Sequence, residues 1–237
     1  MKAKANIILM TLFISTSLMY LYMLYSVEVD NEVFRNSLKP VPLLLLLLLY
    51  VYQSKKVNPS TVVVFVLTIL ADIITNTLQM FPIGIVIYGV AHLFLVEVVG
   101  NNVYKRKTYK KEIVKYFSLG AILFAVIFTY VLSNMGSSYF PIIFYGLTMS
   151  LAFSILLINY LGNMRTANAL LLAAFGLRVV SDSIYAITIF NESNITFDVI
   201  SLSIYLTASY LFCRGFILID ESKSDTEESE YENHFLH

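Results

Sequence analysis

Val62–Leu78 reads VVVFVLTILADIITNTL, and Ala167–Phe190 reads ANALLLAAFGLRVVSDSIYAITIF. Each run is long and apolar enough to cross a bilayer, and each carries a carboxylate deep inside it, Asp72 in the first and Asp182 in the second. A carboxylate at the centre of hydrocarbon costs about 2.5–3.5 kcal/mol or more, unless it faces a bundle interior and finds a partner there. Two such residues therefore point to one shared polar chamber inside a helical bundle.

The rest of the chain agrees. Of its 237 residues, 58% are hydrophobic and only 14% charged, and the mean hydropathy is +0.74. That composition excludes a water-soluble domain and places the chain among polytopic membrane proteins. Stretches of about 17–25 apolar residues fit a membrane crossing. They predict an all-α bundle of eight transmembrane helices over Ala5–Tyr25, Leu38–Gln53, Ser60–Gln79, Phe81–Val99, Ile113–Ser133, Tyr139–Leu161, Arg165–Phe190 and Ile195–Leu218. The second is short and opens with Pro40 and Pro42, which a first helical turn tolerates because its amides lack intrahelical acceptors. Residues 1–218 form one membrane domain in this reading. The acid-rich stretch 219–237 has no apolar period and is expected to be a disordered cytoplasmic tail.

Formal net charge is zero, but the charges are unevenly placed. Lys2, Lys4, Lys55, Lys56, the cluster Lys105, Arg106, Lys107, Lys110, Lys111 and Lys115, and Arg165 all fall on one side of an eight-span arrangement. The opposite loops hold Arg35 and Lys39 beside Glu28, Asp30, Glu32 and Glu192. The positive-inside rule then puts both termini in the cytoplasm. The basic cluster serves first as a topology determinant, and it also suits anionic lipid head groups. The expected location is a bacterial inner membrane or its equivalent.

The N-terminal apolar run lacks a small-residue cleavage site and is read as a retained helix. Cys213 is the lone cysteine, so no intramolecular disulfide forms and no thiol pair serves metal or redox work. The sequons Asn191-Glu192-Ser193 and Asn194-Ile195-Thr196 lie in a short loop close to the membrane, where glycosylation is not expected.

Helical spacing gathers the polar residues into pairs. Asp72 with Asn76, Tyr88 with His92, and Arg178 with Asp182 each stand four apart and share a helix face. At about 1.5 Å per residue, Asp72, His92, Arg178 and Asp182 fall in the same middle layer of the membrane. The two carboxylates stand in spans three and seven, as a parallel four-plus-four repeat would place them. Each residue also has a plain structural reading: Arg178 with Asp182 as a packing ion pair, His92 as a hydrogen-bonded core residue, and Asn76 and Tyr88 as packing groups. Shared depth favours a site. His92 is the only histidine outside the tail, so a zinc site is not expected. The seventh span has no central lysine for a retinal Schiff base, and no Gly-x-Ser-x-Gly elbow occurs.

Four segments, in order, carry a resemblance to a known family. Lys39-Pro40 opens a leucine-rich helix, Ala71-Asp72 stands at a Gly-Asp element, Gly89–His92 combines glycine and histidine, and Ser181-Asp182-Ser183 precedes Ala186. A closing segment follows at Tyr205–Gly215. Over Leu38–Gly215 the chain resembles the YhhN-like lysoplasmalogenases, integral membrane proteins of about eight helices. The resemblance implies hydrolysis of the vinyl ether bond of lysoplasmalogens to a fatty aldehyde and a glycerophospho head group, with Asp72 and Asp182 catalytic. Lys39, Asn76, Tyr88, His92, Arg178 and Tyr205 are the expected substrate-binding or supporting residues.

Two carboxylates suit that chemistry, since an enol ether is cleaved by protonation at carbon, and paired acids divide acid and base work in glycoside hydrolysis. Arg178, four residues from Asp182, assigns the ionised role to Asp182. Asp72 has no cation on its own helix and is the expected acid. Lys39 reads either as a phosphate contact or as an interfacial snorkelling lysine. No cofactor and no nucleic acid are expected, and the partners are the lysophospholipid substrate and membrane lipids. The alternative function is non-enzymatic lipid binding or proton-coupled transport, because intramembrane acids also serve as relays.

Overall fold

The computed structural model describes residues 2–26, 36–100, 109–131, 134, 136–191 and 194–235. Glu28, Asp30, Glu32, Arg35, Lys105, Arg106, Lys107, Ser133, Glu192 and Ser193, which enter the charge, span and sequon readings above, lie outside the described residues.

Eight α-helices follow one another among the described residues, with no strand: α1 Lys2–Tyr25, α2 Val41–Gln53, α3 Pro59–Asp72, α4 Phe81–Gly100, α5 Tyr109–Val131, α6 Tyr139–Gly162, α7 Thr166–Phe190 and α8 Ile195–Phe235. Among the described residues, seven helical stretches are long and apolar enough to cross a membrane. The exception is α2, whose 13 residues reach only about 20 Å of a hydrocarbon core about 30 Å thick. The second crossing expected from Leu38 is thus shorter as a helix. Lys39 and Pro40 form a turn that leads into α2 with Pro42 in its first turn. α8 runs on through the acidic stretch as far as Phe235. Its Glu, Ser and Lys residues keep enough helix propensity to extend a helix already nucleated in the membrane.

Packing closes six helices into a ring in the order α2, α3, α4, α6, α7, α8, with α1 against α2 and α8 and α5 against α6. Small and polar residues let the ring helices approach, as membrane interfaces require in the absence of a hydrophobic drive between helices. Between α7 and α8, Ser181 Oγ donates to the Ser201 carbonyl at 2.8 Å and Ser201 Oγ donates to the Ser181 carbonyl at 2.9 Å. Gly215 on α8 lies so close to the Leu171 side chain that a Cβ would collide with it. Asn159 on α6 donates to the Val99 carbonyl on α4. Across one end of the ring, Tyr50 of α2 donates to buried Asp220 of α8 at 2.6 Å and accepts from the Asn58 amide at 2.9 Å. The side chain of Asn58 then caps α3 by accepting from the Ser60 amide.

α3 does not end as an ordinary α-helix. Ile73–Thr77, directly after Asp72, forms a π-turn, an irregularity that tends to mark functional sites. The chain reverses through Gln79, whose φ of 55° is in the left-handed region, an uncommon conformation for a residue other than glycine. α4 then returns so tightly that a Cβ on Gly84 would strike Thr75. The π-turn and the return of α4 hold Asp72, Asn76 and Tyr88 together.

Candidate functional site

Asp72 is fully enclosed. Its Oδ1 accepts from the Tyr88 hydroxyl at 2.7 Å, its Oδ2 accepts from the Tyr205 hydroxyl, and Lys39 Nζ stands 3.4 Å from Oδ1. A carboxylate surrounded by donors can satisfy both oxygens only as an acceptor. Lys39 also donates to Asn76 Oδ1 at 2.9 Å. Asn76 Nδ2 bonds back to the Asp72 carbonyl at 2.8 Å, which fixes the amide's orientation, and Tyr185 donates to the same Oδ1 at 3.3 Å. Lys39 therefore turns inward. Its ammonium lies over the rings of Tyr185 and Tyr205, at 5.2 and 5.9 Å, rather than snorkelling to the interface.

Asp182 is built differently. Arg178 Nε donates to its Oδ2 at 3.0 Å, the Tyr145 hydroxyl donates to the same oxygen, and 23% of the side chain remains accessible. Both bonds fall on Oδ2, none falls on Oδ1 among the described residues, and Asp182 lines a cavity of about 550 Å³. The Arg178 guanidinium lies over the rings of Tyr88 and Tyr205 at 4.9 and 4.2 Å, a cation–π arrangement strengthened by burial. These are the same two tyrosines whose hydroxyls hold Asp72. One continuous chain of contacts thus runs from Lys39 through Asp72, the tyrosines and Arg178 to Asp182.

The cavity is amphipathic. Lys39, Asn76, Tyr88, Arg178 and Tyr205 share its polar wall with Asp182, while most of the remaining lining is hydrocarbon and aromatic. Its volume is within the range of about 300–1,000 Å³ usual for ligand sites. Asp72 is not part of the lining. His92 is also set back, among the residues around a separate 60 Å³ pocket that Tyr88 and Arg178 share. Its ring packs 5.0 Å from that of Tyr145 and 5.6 Å from that of Phe175, and its Nδ1 is buried with no hydrogen-bond partner among the described residues.

The structure thus brings all eight residues singled out above into one layer but gives them unequal access. The assignment of the acid to Asp72 rested on the absence of a cation on its own helix, and Lys39 supplies one from the turn before α2. Two further participants carried little signal in the sequence. Tyr185 stands three residues after Asp182, a helical spacing that would have flagged it. Tyr145 is one aromatic on an apolar helix among 17 tyrosines, and nothing in its neighbourhood sets it apart.

Residues 34–216 match the YhhN family. The match takes in the lysine turn, both aspartates, the histidine segment and the closing tyrosine segment. The chain belongs to the YhhN family. Neither a curated protein nor a solved structure matches it. In this YhhN chain the family match takes in α2 to α7 and α8 as far as residue 216, so the enclosed site is a property of the matched region, while α1 lies outside it.

Proposed function

We propose that the protein is a membrane hydrolase that cleaves the vinyl ether bond of lysoplasmalogens, releasing a fatty aldehyde and a glycerophospho head group. The observation that carries the reading is the cavity, in which Asp182, paired with Arg178, shares a polar wall with Lys39 and several tyrosines and faces a lining suited to one hydrocarbon chain. Family membership supports the same chemistry.

Asp182 is the catalytic residue in this proposal, because of the two intramembrane aspartates it is the one that lines the cavity. Its carboxyl proton passes to the β-carbon of the enol ether, the C=C electron pair forms the new C–H bond, and an oxygen lone pair completes the oxocarbenium ion. The resulting carboxylate, held by Arg178 and Tyr145, faces that cation. Water adds at the α-carbon and returns a proton to Asp182. The hemiacetal then collapses to aldehyde and the free hydroxyl of the head-group fragment. General acid catalysis of this kind contributes about 10²–10⁴-fold. Asp72 acts as a fixed counter-charge that positions Lys39, Tyr88 and Tyr205, and Lys39 and Arg178 together favour an anionic phosphate at the polar wall. His92 positions Tyr145 through ring packing.

The arrangement in the bilayer is part of the proposal. α2 starts at the depth of the site, where Lys39 meets Asn76, and ends beside the Tyr50–Asp220 contact at one end of the ring. In this reading the residues before α2, with the turn at Lys39 and Pro40, complete an eighth crossing, and both termini lie on the basic, cytoplasmic side of a bacterial inner membrane or its equivalent. Aldehyde release from an alkenyl lysophospholipid, measured with purified protein in detergent, tests the function. Wild type should release aldehyde and Asp182→Asn should not. Binding of the lipid without any aldehyde would favour the non-enzymatic alternative.

A further inference from the structure

We infer that Gly176 on α7 is a side portal through which the hydrocarbon chain of a single-chain phospholipid passes between the bilayer and the Asp182 wall. The inference rests on the hydrolase reading for the head-group end, but its geometry stands on the cavity alone.

The cavity lining takes in both helices outside the ring, Tyr20 and Leu24 of α1 and Leu123, Phe124 and Ile127 of α5. On the α5 side the ring helices that share the lining are α6, with Met149 and Phe153, and α7, with Gly176 and Val179. A cavity that includes side chains of an outer helix must pass between ring helices to reach them. Gly176 lies at that gap. It is exposed, and a Cβ built on it would meet no atom within 4 Å. The comparison with other glycines is instructive, because Cβ atoms on Gly84, Gly89, Gly146 and Gly215 would collide with neighbouring side chains. Those glycines allow close packing, whereas Gly176 leaves an open notch.

A glycine in the interior of a membrane helix costs helix stability relative to alanine, and here no packing contact compensates for it. What the bare position provides is width. Gly176 precedes Asp182 by six residues, about 9 Å along the helix axis, so a chain lying in the notch has its polar end near the carboxylate. The surroundings named above are apolar or aromatic and fit hydrocarbon. Their continuity with the cationic wall selects a molecule with one chain and an anionic head.

The test uses a property of the native chain, whose single cysteine, Cys213, is fully buried. In full-length protein in detergent, Gly176→Cys introduces one accessible thiol. Ala125→Cys, exposed on α5 but outside the cavity lining, is the comparison. Maleimide labelling is followed with and without a saturating alkyl-ether lysophospholipid, which has no vinyl ether to cleave. Protection of the thiol at 176 by fivefold or more, with the rate at 125 changed less than twofold, is the expected result. Failure of the thiol at 176 to label, or equal protection at both positions, overturns the portal. A second arm measures kcat/KM for alkenyl lysophospholipids of long and short chain. Gly176→Leu should lower the long-to-short ratio at least tenfold, and an unchanged ratio counts against the portal. If wild type releases no aldehyde yet the thiol at 176 is protected, the hydrolase reading fails and the portal stands.

Discussion

Replacing Asp72 by asparagine should damage the fold more than replacing Asp182, and the size of the effect follows from burial. Asp72 is fully enclosed and sits 3.4 Å from Lys39, whose side chain is itself only 13% accessible. Two tyrosine hydroxyls also donate to it. Asparagine preserves the shape and can still accept from one hydroxyl, but it leaves the Lys39 ammonium buried without its counter-charge. Breaking a buried pair from one side costs about 3–5 kcal/mol. With about 2–4 °C of melting temperature per kcal/mol for a chain of this size, the loss is roughly 6–20 °C. Cys213 makes the assay direct, because a thiol-reactive dye reports its exposure as the protein melts in detergent. Lys39→Met in the Asp72→Asn background removes the stranded charge and should recover part of the loss, with a coupling of about 1–3 kcal/mol. Asp182→Asn should shift melting less, since cavity solvent already reaches that carboxylate. A shift below about 3 °C for Asp72→Asn, or a double variant no more stable than the single, would refute the view of Asp72 as an enclosed counter-charge.

Asp182→Asn should reduce aldehyde release by at least about 100-fold while lipid binding persists, and loss of binding in parallel would point to a structural role. Tyr88→Phe and Tyr205→Phe each remove one donor to the Asp72 carboxylate and should each cost about 1.5–3 kcal/mol of stability, read as melting shifts that add less than fully in the double variant. Gly176→Ala should be neutral or stabilising by up to about 1 kcal/mol, whereas Gly146→Ala, whose Cβ would strike the Phe124 ring, should destabilise. Equal melting shifts for the two would show that the glycines are not distinguished by packing. Tyr50→Phe should lower stability through loss of its bonds to Asp220 and the Asn58 amide with little effect on KM.

What the sequence made legible follows from which physical constraints are local. Seven candidate crossings could be read because an apolar run must match the bilayer's thickness, and α2 departs from the expectation because its helix has only 13 residues. The layer of polar residues was legible for a related reason: helical rise converts residue number into depth, so Asp72, His92, Arg178 and Asp182 could be placed together without knowing which helices touch. Access was not legible. Whether a carboxylate faces a cavity or lies behind two tyrosines depends on the ring order α2, α3, α4, α6, α7, α8, and no spacing within a single helix encodes that order.

The same distinction explains why the proposed acid is Asp182, where spacing alone pointed to Asp72. Counting cations along one helix finds Arg178 beside Asp182 but cannot find Lys39 beside Asp72, because 33 positions separate them in sequence and only packing brings them to 3.4 Å. Once both carboxylates have a cation, charge no longer separates their roles, and geometry must. A group that reacts with a lipid has to present an oxygen to it. Asp182 lines the cavity and takes both of its bonds on Oδ2 among the described residues, whereas Asp72 has a bond on each oxygen and no accessible surface. An enclosed Asp72 would have to break one of those bonds and displace a tyrosine before meeting substrate. Its expected contribution is therefore to hold Tyr88, Tyr205 and Lys39 in place before the substrate arrives.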